Sequence, residues 1–112
     1  MGHRDLDVLD AAQRAADGVN RLIDASPKRL IHKGQMRKSS QSIGSNIAEG
    51  FARKTLPDRA HKLVLSRGEA DETIRHLKSN FNANRIERRD YWPLHNLLVT
   101  IVKMLDSLLA NM

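Results

Sequence analysis

Apolar residues recur at helical spacing in four stretches of the chain, separated by short segments rich in Pro, Asn and charge. The first stretch predicts a helix from about Asp5 to Ala25. Its apolar seam steps by three and four residues and consists of Leu9, Ala12, Ala16, Val19 and Ile23. Because the residue before a proline is disfavoured in a helix, Ser26-Pro27 predicts the end of this helix and the start of the next.

The second predicted helix, from about Pro27 to Arg53, carries two neighbouring stripes. The apolar stripe consists of Met36, Ser40, Ile43, Ile47 and Phe51. The polar stripe consists of Gln35, Ser39, Ser42, Asn46, Glu49 and Arg53. Solvated faces usually carry Lys and Glu rather than small polar residues, so the polar stripe predicts a packed seam whose members hydrogen-bond to the third helix. Asn46 and Glu49 are the expected partners of the region around Arg67 and Glu72, and Glu49 could also pair with Arg53.

The third predicted helix follows Thr55-Leu56-Pro57-Asp58, which resembles a capping box. Its predicted apolar seam is interrupted only by Arg67 and consists of Ala60, Leu63, Ala70, Ile74, Leu77 and Phe81. A glycine in mid-helix costs about 1 kcal/mol relative to alanine, so Gly68 predicts a close helix crossing. Gly68 and Glu72 are the predicted members of the polar seam on the third helix.

The fourth predicted helix begins near Asp90 as N-cap, with Pro93 in the first turn. Its seam consists of Leu94, Leu98, Ile101, Leu105, Leu108 and Met112. Leu97, Val102, Met104 and Leu109 widen the seam enough to serve both a core and a subunit contact. Four helices with short links and no strand signal predict an all-α, antiparallel up-and-down four-helix bundle. Residues 1–112 form one predicted domain that assembles as a homo-oligomer.

Composition narrows the class of protein further. The 112 residues include 40% hydrophobic and 4% aromatic residues, which indicates an aliphatic core, and they include no Cys. A disulfide framework and a thiolate metal site are thereby excluded. No uninterrupted apolar run of about 18 residues and no signal-peptide pattern is present, which predicts a cytoplasmic protein without a membrane partner.

The net charge of +6 is concentrated in residues 28–62, where nine Lys and Arg residues face two acidic residues. The candidate nucleic-acid-binding residues are Lys28, Arg29, Lys33, Arg37, Lys38, Arg53 and Lys54. Arg29, Lys33 and Arg37 repel one another along a helix face, so we expect an anionic partner. That partner is either a polyanion such as RNA or the acidic first helix of the same or a neighbouring chain. The few aromatic residues fall at expected core positions, which favours binding of the nucleic-acid backbone over base stacking.

Catalytic and metal-binding patterns are weak. Glu69, Glu72 and His76 share a helix face, but the Glu-x-x-His pairs of di-iron bundles are missing, so no metal and no cofactor is expected. Ser42 and Glu49 lack an accompanying His base, and no phosphate-binding glycine loop occurs. The sequence therefore predicts a protein that is not an enzyme.

Residues 42–54, with the sequence SIGSNIAEGFARK, resemble the signature of small four-helix-bundle proteins encoded within intervening sequences of bacterial large-subunit ribosomal RNA genes. Further matches are Gln35, Arg37, Gly68 and Glu72, and the resemblance as a whole spans nearly the whole chain. Three positions depart from the family pattern. Gly44 stands where the family usually has Pro, Glu69 replaces a Ser, and Ala12 replaces an aromatic residue before Gln13.

The resemblance implies an up-and-down antiparallel bundle, commonly a homopentamer. Similar bundles serve as accessory proteins to reverse transcriptases in diversity-generating retroelements, where they contact RNA and the enzyme. Residues and resemblance together predict a self-assembling basic bundle that binds RNA. The alternative is an oligomeric protein-binding scaffold, for example an accessory subunit to a reverse transcriptase, without a nucleic-acid role.

Overall fold

The computed structural model describes residues 2–25 and 29–112, which form four α-helices. Helix α1 spans His3–Ala25, α2 spans Lys33–Ala52, α3 spans Leu56–Asn82 and α4 spans Arg88–Ala110. No strand occurs among these residues, so the all-α prediction is confirmed for the described part of the chain. The predicted helix stop at Ser26-Pro27 lies outside the described residues.

The helices contact one another in a closed ring, in which α1 packs on α2 and α4, and α3 packs on α2 and α4. Because the links between successive helices are short, neighbouring helices run antiparallel. One core joins all four, and its largest buried side chains come from each helix in turn: Val19 of α1, Met36 and Ile43 of α2, Leu77 of α3, and Leu98 of α4. The predicted seams of α1 and α2 are largely confirmed, with Leu9 and Phe51 only half-buried.

The start of α2 differs from the prediction. The helix begins at Lys33 rather than Pro27, and His32 before it has a left-handed backbone with φ 59°. The cause is a tertiary contact: the Asn80 side chain accepts a hydrogen bond from the Ile31 N–H at 2.8 Å and donates one to the Ile31 carbonyl at 3.0 Å. With Ile31 held in this way, residues 29–32 form a bent link whose Leu30 side chain enters the core.

Buried polar side chains follow α3 at intervals of seven residues. Ser66, Thr73 and Asn80 are fully buried and alternate with the apolar residues Leu63, Ala70 and Leu77. The predicted seam is therefore correct at these three apolar positions. Ile74 and Phe81 are only half-buried, and Arg67, the expected interruption of the seam, forms ion pairs with Asp71 and Asp106. We refer to Ser66, Thr73 and Asn80 as the α3 polar line.

Each residue of the α3 polar line bonds to α2 or to the link before it. The Ser66 hydroxyl donates to the Ile43 carbonyl at 2.8 Å, and the Ser39 hydroxyl lies 2.7 Å from that of Thr73. Because buried hydroxyl and amide groups are costly without partners, these contacts fix the relative position of α2 and α3 along their axes.

Helix α4 begins earlier than expected, with Glu87 rather than Asp90 at its N-cap. Pro93 is consequently the sixth helical residue instead of a first-turn residue, and it cannot donate the usual hydrogen bond to Arg89. Among the described helices, α4 alone is long and apolar enough in composition to cross a membrane. Leu98, Ile101 and Leu105 of α4 are buried in the core, but most of the helix is not.

Glycine positions show where helices approach closely. No described atom of a neighbouring element lies within 4 Å of a Cβ built at Gly68, so the prediction of a close crossing there is wrong. The close approach occurs at Gly50, where a Cβ would lie 3.1 Å from the Lys62 Cβ and 3.4 Å from the Arg59 carbonyl oxygen. Capping of α3 is as predicted, since the Thr55 side chain accepts from the Asp58 N–H.

These two glycines give a paired prediction for stability. Gly68→Ala fills open space at an exposed position of α3 and should raise the free energy of unfolding by about 0.5–1 kcal/mol. Gly50→Ala gains the same helix propensity, but the added methyl group forces α3 to move away. The free energy of unfolding of Gly50→Ala should therefore be clearly lower than that of Gly68→Ala. Urea denaturation of both variants measures the difference, and equal stabilisation would contradict the crossing at Gly50.

A second prediction concerns Asn80. Asn80→Leu leaves the Ile31 backbone groups without their partners and should lower the free energy of unfolding by about 1–3 kcal/mol. Asn82→Leu, two residues further on and exposed, should change stability by less than about 0.5 kcal/mol. Thermal or urea unfolding compares the two variants, and similar behaviour would show that the amide does not hold the link.

Candidate nucleic-acid interface

The predicted polar seam does not form one buried unit. Ser39 is buried against α3, and Ser42 and Asn46 are half-buried, with the Asn46 amide donating to the Ser42 carbonyl of its own helix. Gln35 and Glu49 are exposed. The buried hydrogen-bonding residues on the facing helix are those of the α3 polar line rather than Gly68 and Glu72, which are exposed and half-buried.

One predicted tie between α2 and α3 is present with a different partner. Glu49 forms an ion pair with Lys62 of α3 at 2.8 Å rather than with the region around Arg67 and Glu72. The hydrogen bond and charge of Lys62, with a smaller effect of Arg53, lower the pKa of the Glu49 carboxyl. This pair lies near the surface, so it adds little to stability.

The predicted basic residues lie in separate places. Arg29 and Lys33 lie at the end of the bundle where α2 begins, whereas Arg53 and Lys54 follow the last residue of α2. With 20 residues, α2 is about 30 Å long, so the two pairs cannot form one patch. Lys38 is exposed on α2 between them, and Lys28 lies outside the described residues.

Arg37 pairs with the acidic first helix of its own chain, which is one of the two kinds of anionic partner expected from the sequence. Its guanidinium lies 2.6 Å from Asp24 and donates to the Asn20 side chain at 2.9 Å, both on α1 of the same chain. The expected row of repelling charges at Arg29, Lys33 and Arg37 does not exist either, because Arg29 precedes the helix. Arg37 therefore serves as an α1–α2 contact.

The excess positive charge is collected at one end of the molecule, formed by residues 21–25, 29–33 and 75–90. Three acidic residues lie there, against eight basic residues: Arg21, Arg29, Lys33, Arg75, Lys78, Arg85, Arg88 and Arg89. At the opposite end, residues 2–10, 49–62 and 103–112 contain six basic and six acidic residues. We call the first group the basic end and the second the neutral end.

The basic end consists of the link before α2, the link between α3 and α4, and the helix ends beside them. The Arg85 guanidinium donates to the Arg29 carbonyl at 2.9 Å, which joins the α3–α4 link to the link before α2. Asn84 has a left-handed backbone, with φ 59°, and ends α3 by donating its N–H to the Phe81 carbonyl. Arg29 and Arg88 form no ion pair with another described residue, whereas Arg89 lies 2.9 Å from Glu87.

An aromatic cluster lies beside these arginines, contrary to the expectation that every aromatic ring would be taken up by the core. The rings of Phe81 and Tyr91 stack in parallel with centroids 4.0 Å apart. The Trp92 ring contacts the Phe81 and Tyr91 rings edge to face, and the centroids of the Trp92 and His95 rings are 5.2 Å apart. Tyr91 is buried and its pKa is raised by burial, but 45% of Trp92 is exposed.

A cavity of about 550 Å³ opens between the two links. Its lining residues are Arg29, Phe81, Asn82, Asn84, Arg85, Ile86, Glu87 and Arg88. Phe81 thus belongs to both the cavity and the aromatic cluster. Sequence reasoning missed this site because its residues come from separate elements, although the run Arg85-Ile86-Glu87-Arg88-Arg89 was a visible signal of local charge.

The acidic and histidine residues of α3 provide no metal centre. Among the described residues, no group of three or more His, Asp or Glu side chains could hold a metal ion. The His76 Nε2 is buried without a hydrogen bond to a described residue, although a Glu72 carboxylate oxygen lies 3.5 Å away. Burial, with the charge of Glu72, raises the pKa of Glu69.

Fold and charge together define the class of protein: a small four-helix bundle with one basic end that carries an exposed tryptophan. The chain belongs to the 23S rRNA-intervening sequence protein family, whose model matches residues 4–107. None of the curated proteins compared with it matches the chain.

A solved structure supports the fold. The chain is similar to a protein of unknown function from the S23 ribosomal protein family of Bacteroides thetaiotaomicron VPI-5482, whose crystal structure was determined at 1.70 Å resolution. The TM-score is 0.87 at 26% sequence identity, over 96% of this chain and 98% of that chain. The family assignment confirms the resemblance found in residues 42–54.

Proposed function

We propose that this protein is a non-enzymatic, self-assembling bundle that binds the backbone of RNA through its basic end. The observation that carries the proposal is the separation of charge, with eight basic and three acidic residues at one end and equal numbers at the other. Such a concentration of charge attracts phosphates and displaces their counterions. The family's name refers to a sequence within 23S rRNA, which makes RNA the polyanion of first choice.

The side chains at the basic end suit phosphate recognition. Arginine presents a planar set of donors that matches phosphate oxygens, and three arginines line the cavity. Arg85 is already oriented by its bond to the Arg29 carbonyl, so less conformational entropy is lost when it binds. We place the protein in the cytoplasm, where RNA is available.

The RNA-binding proposal predicts different effects at the two ends. Arg29→Gln/Arg88→Gln removes two charges from the basic end and should weaken RNA binding while lowering the slope of log K against log salt by about 0.7–0.9 per lost contact. Arg53→Gln/Lys54→Gln makes the same change in net charge elsewhere and should leave binding nearly unchanged. Fluorescence anisotropy with labelled RNA over a salt series measures both.

Equal loss of affinity in the two double variants would show that only net charge matters. If the wild-type protein does not bind RNA at low salt, the nucleic-acid role fails and the protein-binding scaffold replaces it. In that case a reverse transcriptase is the first partner to test by co-purification.

The self-assembly part of the proposal is supported by α4. Half-buried apolar residues flank the buried stripe of α4 on both sides: Leu97, Met104 and Leu108 beside α1, and Val102 and Leu109 on the other side. Leu97 lines a groove of about 590 Å³ between α1 and α4, together with Leu22 and Leu94. We propose that a second copy of the chain covers the side of α4 that borders α1, in the homopentamer that the family resemblance implies.

Sedimentation velocity tests the assembly. The wild-type protein should sediment as a multiple of the 12.7 kDa chain, with five copies as the expected number. Leu97→Glu places a charge in the groove and should dissociate the assembly, because an unpaired charge is costly to bury. Val64→Glu makes a similar change at an exposed position of α3 and should leave the assembly intact. A monomeric wild-type protein would contradict this part of the proposal.

A further inference from the structure

Trp92 is the only tryptophan of the chain, and it lies exposed at the basic end although the core has few aromatic residues to fill it. A large aromatic side chain left 45% exposed gives up part of the stabilisation that full burial would provide. Aromatic rings presented beside positive charge are the usual stacking surface for unpaired bases. The position of Trp92 therefore points to a ligand rather than to stability.

The ring of Trp92 is held in place before any ligand binds. Phe81 and Tyr91 contact it edge to face at centroid distances of 5.8 and 5.0 Å, and His95 contacts it from the next turn of α4. A ring that already contacts three other rings loses less freedom when a base stacks on it. Tyr91 is buried and stacks in parallel on Phe81, so the rings behind Trp92 are packed against the core.

Phosphate-binding groups lie next to this ring. Arg88 and Arg89 precede Trp92 by four and three residues, so they lie on the same side of α4. Arg88 also lines the cavity of about 550 Å³ with Arg29 and Arg85, and Phe81 connects that cavity to the aromatic cluster. Its volume falls within the range of pockets that hold small organic molecules.

Hydrogen-bonding groups suited to a base edge are present in the same cavity. Asn82 and Asn84 contribute two exposed amides that form no side-chain hydrogen bond with other described residues. An amide offers both a donor and an acceptor, as the edges of unpaired bases do. In a duplex these edges are paired and the base faces are covered, so only an unpaired strand can use both the ring and the amides.

We propose that the basic end binds single-stranded nucleic acid, with one base stacked on Trp92 and a neighbouring phosphate held by Arg29, Arg85 and Arg88. The inference rests on the proposed function and makes it specific, since it names an unpaired strand and a stacking residue. Base and phosphate are shared by RNA and DNA, so oligomers of both kinds belong in the test.

Because Trp92 is the only tryptophan, the intrinsic fluorescence of the protein reports directly on stacking at this residue. Titration of the full-length protein with an oligouridylate of about twelve nucleotides, within the usual site size of single-strand binding modules, should quench Trp92 fluorescence. A duplex RNA of equal length should bind through its phosphates without this quenching. The matching deoxyoligomer shows whether the site distinguishes the two sugars.

Variants of Trp92 complete the test. Trp92→Leu keeps apolar volume but removes the stacking surface, and it should weaken oligouridylate binding by about 5- to 150-fold. Trp92→Phe retains a smaller ring and should lose less affinity for oligouridylate than Trp92→Leu. Neither change should alter duplex binding, whereas Arg29→Gln/Arg88→Gln should weaken binding of both ligands.

The outcomes separate the inference from the proposed function. Unquenched Trp92 on oligouridylate binding, or unchanged affinity in Trp92→Leu, overturns the stacking site but leaves backbone binding in place. Failure of the wild-type protein to bind either ligand at low salt overturns both. A change of sedimentation mass in Trp92→Leu assigns the exposed ring to a subunit contact, which also overturns the inference.

Discussion

The α3 polar line is the constraint on which the rest of the bundle depends. Apolar seams alone would let two helices slide by one turn and still bury their side chains, because the contacts are non-directional. Ser66, Thr73 and Asn80 are fully buried, and each hydrogen-bonds to a partner outside α3, although Thr73 and Asn80 also donate to carbonyls of their own helix. Their partners lie on α2 and on the link before it, so one register of α2 against α3 satisfies all three.

The same line shapes the candidate interface. Asn80 holds Ile31 through both backbone groups, and this fixes the link that carries Arg29. Arg85 then joins the α3–α4 link to the Arg29 carbonyl, and the arginine-lined cavity opens between the two links. A buried hydrogen bond in the core thus determines where the positive charge is presented.

Much of the fold could be predicted from the spacing of apolar residues. The buried face of an amphipathic helix follows from the period of its apolar residues, whichever helix it packs against. The misassigned positions are those where a tertiary contact outweighs local preference. Thr73 and Asn80 are buried although polar residues of their kind usually lie outside, which displaced the predicted seam of α3 to its neighbours. Asn80 likewise delays the start of α2, which no local signal near Pro27 could show.

The candidate site was less predictable than the fold. The excess of charge was visible in residues 28–62, but its position in space was not. Arg53 and Lys54 are close to Arg37 in sequence, yet they lie beyond the opposite end of α2, while Arg85 and Arg88 join Arg29 from a distant part of the chain. The exposure of Trp92 also depends on how α4 packs, since Tyr91 beside it is buried.

Ultraviolet cross-linking of the wild-type protein to single-stranded RNA, followed by mass spectrometry of the linked peptides, tests the location of binding most directly. Cross-links should fall within residues 29–33 and 81–95, with Trp92 among the modified positions. Cross-links concentrated in residues 53–62, or spread evenly over both ends, would contradict the assignment of nucleic-acid binding to the basic end.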